Sequence, residues 1–284
     1  MGMWLFLALM SGVVLGIFDI FKKLATQKVS VLNVLALYAM FSFLLLMYGY
    51  KNAMSVDVTV LPLVFLKAVI IYFSWILGFV AFKHLPISVA SPFKTVTPLV
   101  TILLGITFLG ENLSILQGLG FLIIIMGYYI IGRTGGSEIK EFIKNKYLYL
   151  LVISAILSAF SGLIDKIALK SINAGQMQFW FMLFLTIMYG LTFGVSSYRE
   201  HKKIVVKFDV AILMASLTIV LSDRLYFMAV AMPQSQLSVI MPIRFVSVFV
   251  SAIIGGFIFR EENLRGKFLG ISNLLVGIML IFFG

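Results

Sequence analysis

Cysteine is absent from all 284 residues. That excludes disulfides, a thiolate nucleophile and a Cys-ligated metal. Histidine is nearly absent: His84 and His201 stand alone, too few and too isolated for a His-based zinc site. Charge is scarce too, at 12% of residues against about 25% in an ordinary soluble domain. No Walker-type phosphate loop occurs, so ATP is not expected to act directly and no cofactor is expected. No long hydrophilic segment interrupts the chain, which leaves no place for a soluble catalytic domain. The Asp, His or Ser cluster that an intramembrane enzyme would need near one interface is missing. No catalytic residue and no metal ligand is assigned.

What is present is apolar. Hydrophobic residues make up 62% of the chain, more than one soluble core of this length can hide. They fall into runs long enough to cross a bilayer, which takes about 20 residues each. Spans are expected near 3–25, 31–50, 59–82, 87–109, 114–132, 147–169, 174–197, 209–231, 235–259 and 265–283. Met1–Phe18 has neither a basic leader nor a small-residue cleavage site, so it reads as the first span and not a removed signal. Runs such as Gly120–Ile131 lack the alternation of a membrane barrel strand. Links such as Gly110–Leu113 are tight and force sequential helices into antiparallel hairpins.

The formal net charge is +11, which in a soluble protein would raise nucleic acid as a partner. Here most Lys and Arg fall in short loops after odd-numbered spans: Lys22, Lys23, Lys28, Lys83 and the loops 133–146, 198–208 and 260–267. After even-numbered spans only Lys51 and Lys170 occur, and Lys67 falls within the third run. This bias marks cytoplasmic loops, so nucleic acid is not expected and both termini are expected outside. The expected location is the cytoplasmic membrane, multi-pass, as a monomer or homodimer among membrane lipid.

An internal repeat is legible. An offset of 150 residues maps Pro92 onto Pro242, Lys94 onto Arg244, Glu111 onto Glu261, Gly120 onto Gly270 and Gly127 onto Gly277. At the front the offset is 143, mapping Ser11, Lys23 and Ala25 onto Ser154, Lys166 and Ala168. Five spans per half is an odd number, so the halves enter the membrane from opposite sides. The expected fold is all-α integral membrane, with ten transmembrane helices in two inverted-topology five-helix repeats. The divisions are 1–133, an inter-repeat loop 134–146, and 147–284. Inverted halves can exchange conformations around a site near the midplane, which suits alternating access.

The segment Ser88–Gly132 carries Pro98, Leu104-Gly105, Leu109-Gly110-Glu111, Leu113, Gln117, Gly120 and Gly127 in order. In this it resembles the EamA-type branch of the drug/metabolite transporter superfamily. The second half keeps Glu261, Leu264, Gly270 and Gly277 but has Val248 or Phe249 where the pattern expects Pro. The resemblance implies a ten-helix permease and leaves the substrate open among amino acids, other metabolites, nucleotide-linked sugars and drugs.

Lys94 and Arg244 are the leading candidates for substrate contact. Each lies inside an apolar run two residues after a proline, Pro92 or Pro242, and intramembrane charge is costly enough to signal function. The prolines, with Pro98, are candidate kinks. Two cations facing one cavity suit a carboxylate or phosphate; the alternative is a structural pair with a carboxylate. Asp223, with adjacent Arg224, and Asp19 and Asp165 are candidates for charge balance or proton coupling, and Asp223 can neutralise Arg244. Asp19 can also sit at the end of span one beside Lys22 and Lys23. Tyr72, Trp75 and Phe79 share helical spacing and, with Tyr226, are candidate cavity residues that can stack on substrate. Glu111 and Glu261 read as caps for the helices that follow them. Gly12/Gly16, Gly190/Gly194 and Gly266/Gly270 permit close helix approach. The expected function is a secondary transporter for a small polar metabolite, an amino acid or another anionic or zwitterionic solute. A lipid or lipid-linked-sugar flippase, or an accessory membrane subunit, is the alternative.

Overall fold

The computed structural model describes residues 2–94, 96–134, 145–199, 207–260 and 264–284, and no strand occurs among them. The helices are α1 (Met3–Lys28), α2 (Val31–Leu46), α3 (Tyr50–Met54), α4 (Leu61–His84), α5 (Ile87–Phe93), α6 (Val96–Leu109), α7 (Ile115–Thr134), α8 (Lys146–Ala168), α9 (Ala174–Arg199), α10 (Val210–Val230), α11 (Leu237–Arg244), α12 (Val246–Ile258) and α13 (Leu264–Phe283). The side chain of Pro92, and Glu261 altogether, lie outside the described residues.

Among the described residues seven helical stretches are long and apolar enough to cross a membrane: Met3–Lys28, Val31–Met54, Val58–His84, Lys146–Ala168, Ala174–Tyr198, Val210–Val230 and Leu237–Ile258. Val96–Leu109, Ile115–Gly127 and Leu269–Ile281 are shorter apolar helices. The chain is therefore an all-helical membrane protein with multiple candidate spans. Its outer surface is apolar, with Phe73, Leu122 and Met126 more than half exposed. Serines and ionisable groups turn inward, among them Ser11, Ser74, Asp19 and Lys22. That inversion of the soluble pattern is what a hydrocarbon solvent selects.

Two stretches expected as continuous spans are divided. α5 gives way to α6 at Lys94, where Lys94 N–H donates to Ser91 O at 3.2 Å and Thr97 N–H to Lys94 O at 3.0 Å. α11 gives way to α12 at Phe245, where Phe245 N–H donates to Pro242 O at 3.0 Å and Val248 N–H to Phe245 O at 2.9 Å. These are tight i→i−3 bonds that replace the regular ladder. Pro242, inside α11, has no N–H for that ladder. Pro98, two residues into α6, sits in the first turn, where a missing N–H costs nothing.

Helix starts are set by side chains. Ser114 and Gln117 form a reciprocal capping box ahead of α7, at 2.9 and 3.1 Å. Asn173 and Gln176 do the same ahead of α9, both at 3.0 Å. α6 ends in a left-handed residue, Gly110 with φ +67°, where the missing Cβ removes the strain. α12 is followed by Arg260 with φ 52°, which carries that strain, about 1–2 kcal/mol.

Helix packing is close where residues are small. α1 runs along α10, joined by Ser11 Oγ to Ser222 O (2.8 Å) and Ser222 Oγ to Ser11 O (2.9 Å). α8 runs along α4, joined by Ser74 Oγ to Ser154 O (2.8 Å) and Ser154 Oγ to Ser74 O (2.7 Å). α7 runs along α13 so closely that a Cβ on Gly120 would lie 2.6 Å from Gly277 O, and one on Gly277 2.6 Å from Gly120 O. Gly12 and Gly16 let α1 lie against the backbone of Arg244 and Ser247. Gly190 and Gly194 meet nothing within 4 Å, so that pair makes no close approach among the described residues.

Candidate functional site

A cavity of about 180 Å³ opens between α1, α4, α6, α8, α10 and the α11–α12 break. Lys22, Lys67, Lys94 and Arg244 all line it, together with Asp165 and Asp223. The remaining wall is mainly Phe, Trp, Leu, Ile and Met, relieved by serines of α8.

The charges form two groups. In the first, Asp19 of α1, 1% exposed, is shared by two ammonium groups. Lys94 Nζ donates to both its oxygens at 3.0 and 2.9 Å, and Lys22 Nζ to Oδ1 at 2.6 Å. Lys22 also sits 3.5 Å from the Phe82 ring centroid, so an aromatic face replaces part of the lost hydration. In the second group Lys67 of α4 donates to Asp165 of α8. Asp165 also accepts from Tyr226 Oη at 3.2 Å. Arg244 lies 3.6 Å from Asp223 and 4.1 Å above the Tyr226 ring, and donates to Ser222 Oγ at 3.3 Å.

Lys94 and Arg244 therefore face one cavity, each at a helix break. Trp75, Phe79 and Tyr226 line it as well. Tyr72 does not. It stacks on Tyr189 at 4.9 Å and hydrogen-bonds Thr192 at 2.6 Å, because its side of α4 packs on α9. Arg224 also points elsewhere, to Gly175 at the start of α9. Asp19 is no terminal residue: α1 continues to Lys28, which places Asp19, Lys22 and Lys23 in the interior.

Lys22 and Lys67 were not among the expected site residues. Lys22 and Lys23 fall within the expected first span but were counted among the loop charges, yet they are 4% and 6% exposed. The signal for Lys22 was its i,i+3 spacing from Asp19, which puts the two on one helix face. Lys67 had its signal in the unbroken apolar sequence around it.

Buried lysines also close the ends of two helices. Lys23 Nζ donates to Phe82 O and Leu85 O at the end of α4. Lys166 Nζ donates to Val230 O at 3.1 Å and Ser235 O at 2.7 Å after α10. Each ammonium satisfies carbonyls left over at a helix C-terminus. Glu111 performs the converse task. Its carboxylate accepts from Leu237 N–H at 2.7 Å and Ser238 N–H at 2.8 Å. It thus caps α11, distant in sequence, while α7 has its own cap at Ser114. That corrects the expectation that Glu111 serves the helix it precedes.

A polytopic helical membrane protein with a buried, charge-lined cavity between broken helices is the class this geometry defines. Residues 2–133 match the EamA-like transporter family. An uncharacterized protein of Methanocaldococcus jannaschii is 26% identical over 127 residues, covering 44% of this chain and 93% of that protein. A protein crystal structure shares the fold with a TM-score of 0.70 at 15% identity, over 96% of this chain and 97% of that one.

Proposed function

We propose that the chain is a secondary transporter of the cytoplasmic membrane, moving a small anionic or zwitterionic metabolite such as an amino acid by alternating access. The observation that carries this reading is the cavity into which Lys94 and Arg244 project from two helix breaks. Broken helices around an interior charged site are the recurrent substrate geometry of transporters.

The reading includes ten membrane helices in two inverted repeats, 1–133 and 147–284. Several contacts support it. Ser11 bonds reciprocally with Ser222, and its counterpart Ser154 bonds in the same way with Ser74. The same exchange turns the Lys23 cap on α4 into the Lys166 cap on α10. Gly120 against Gly277 becomes Gly270 against Gly127, where a Cβ on Gly127 would lie 2.9 Å from Gly270 O. The relative of about half this chain's length fits a duplicated unit. The Lys and Arg bias persists without Lys22 and Lys23, and supports both termini outside.

Counterflow in proteoliposomes tests the proposal, with labelled amino acids, organic acids, phosphorylated metabolites and cationic drugs. Exchange of an anionic or zwitterionic solute, lost in folded Lys94→Gln and Arg244→Gln variants, is the expected result. Exchange unaffected by either substitution would reduce both residues to structural ion pairs. Absence of exchange for every solute would shift the reading to a flippase or accessory subunit.

A further inference from the structure

The four cations of the cavity are not equally satisfied. Lys94 has both oxygens of Asp19, and Lys22 has Asp19 and the Phe82 face. Lys67 has Asp165 and lies 4.3 Å from the Phe181 centroid. Each ammonium therefore has a carboxylate at hydrogen-bonding distance. Arg244 does not. Its nearest carboxylate oxygen, on Asp223, is 3.6 Å away, beyond a normal charged hydrogen bond. Its Nε is buried and without a hydrogen-bond partner among the described residues. A guanidinium has five N–H donors in a fixed fork, and among the described residues one hydrogen bond engages it, to Ser222 Oγ at 3.3 Å.

The formal charge agrees. Lys22, Lys67, Lys94 and Arg244 stand against Asp19, Asp165 and Asp223, leaving the cavity one positive charge in excess, while Arg244 is the cation whose donors are least engaged. One bound monoanion neutralises it. A zwitterion would leave the excess charge in place, and a dianion would reverse it. The site's size and wall restrict what the anion is attached to. The cavity measures about 180 Å³ and is mainly apolar; an apolar cavity of about 150 Å³ holds benzene.

From these observations, and resting on the transporter reading above, we propose that the substrate is a monocarboxylate with a compact apolar body, of benzene-ring or branched-chain size, whose carboxylate docks on Arg244. Arg244 is then the specificity-determining cation. Tyr226, lying beneath the guanidinium, is a positioning residue for it. Lys94 holds Asp19 at the α5–α6 break and is not the second half of a two-cation site.

The test uses purified full-length protein in proteoliposomes. Exchange of labelled phenylacetate and isovalerate is compared with that of phenylalanine and leucine, which add only the ammonium group and its carbon framework, and with succinate. The monocarboxylates are expected to exchange, with the amino acids and succinate at least tenfold slower. Arg244→Lys keeps the charge but loses the planar fork, and is expected to weaken monocarboxylate exchange about ten- to hundredfold, the range for losing a charge-assisted hydrogen bond. Preferred exchange of phenylalanine, leucine or succinate overturns the monoanion assignment and leaves the transporter reading intact. Monocarboxylate exchange unchanged in Arg244→Lys and Arg244→Gln overturns the docking residue. No exchange of any solute by the wild-type protein overturns the transporter reading, and this inference with it. Wild-type selectivity needs no substitution, so the assignment is decided even where a variant misfolds.

Discussion

Replacing Glu111 with Ala removes the acceptor for two backbone N–H groups at the start of α11. No other side chain takes over, since the N-cap residue of that helix, Gln236, makes no side-chain capping bond. Hydrogen bonds to a charged group contribute about 1.5–3 kcal/mol each, whereas whole-cap deletions cost about 0.5–2 kcal/mol. The donors are part-buried and the two bonds share one carboxylate, so a combined loss of about 2–4 kcal/mol is expected. Glu111→Gln retains one acceptor oxygen and should lose roughly half of that. Gly105 belongs to the same device. A Cβ there would lie 2.5 Å from Glu111 Oε2 and 3.3 Å from Ser238 Cβ, so Gly105→Ala should reproduce the Glu111→Ala defect. The assay is thermal unfolding of the detergent-solubilised protein, combined with hydrogen exchange at the Leu237 and Ser238 amides. The order expected is wild type, Gln, Ala, in both stability and amide protection. If Glu111→Ala melts with the wild type and both amides keep their protection, the capping argument is refuted.

Asp165→Asn leaves Lys67 buried without its counterion, and a loss of about 3–5 kcal/mol is expected in the same melt. Replacing both residues with Leu should recover much of it; a double variant no more stable than Asp165→Asn would contradict the pairing. Ahead of the apolar stretch Val210–Val230, Asp209 caps α10 through Ala211 N–H at 2.8 Å and pairs with Lys28 at 2.9 Å. The hydrogen bond from Lys28, then that from Ala211, hold its carboxyl below the usual 3.8. Its contribution is therefore complete above pH 3.8 and disappears as pH falls through the lowered value. Exchange at the Ala211 amide should accelerate only below that pH; acceleration near pH 6 would assign the effect to another group.

Much of the architecture was legible because hydrocarbon imposes a coarse rule on sequence. Apolar runs marked the helices. Lys94 and Arg244 stood out because each interrupts an apolar run, and both line the cavity. Asp223 was expected beside Arg244 and lies there, but the partners of the lysines could not be read. Nothing local tells that Asp19 serves Lys94 as well as Lys22, or that Asp165 meets Lys67, since those contacts join distant helices. Lys22 and Lys23 were counted with the loop charges for a simpler reason: lysines near the end of an apolar run look identical whether they reach the interface or turn inward. Tyr72 failed as a cavity residue because helical spacing groups residues on one face without saying which neighbour that face meets.

The Lys67–Asp165 pair bears on the order in which the protein is made. Asp19 and Lys22 are three residues apart on one helix and enter the bilayer as a neutral unit. Lys67 has no such companion, and its carboxylate lies 98 residues further along the chain. During synthesis α4 thus carries an ammonium whose permanent counterion emerges only with α8. A first half expressed by itself would keep that charge uncompensated by Asp165 and would need a second polypeptide, or retention of α4 at the interface, to settle. Charge thus makes the early helices dependent on one that follows much later.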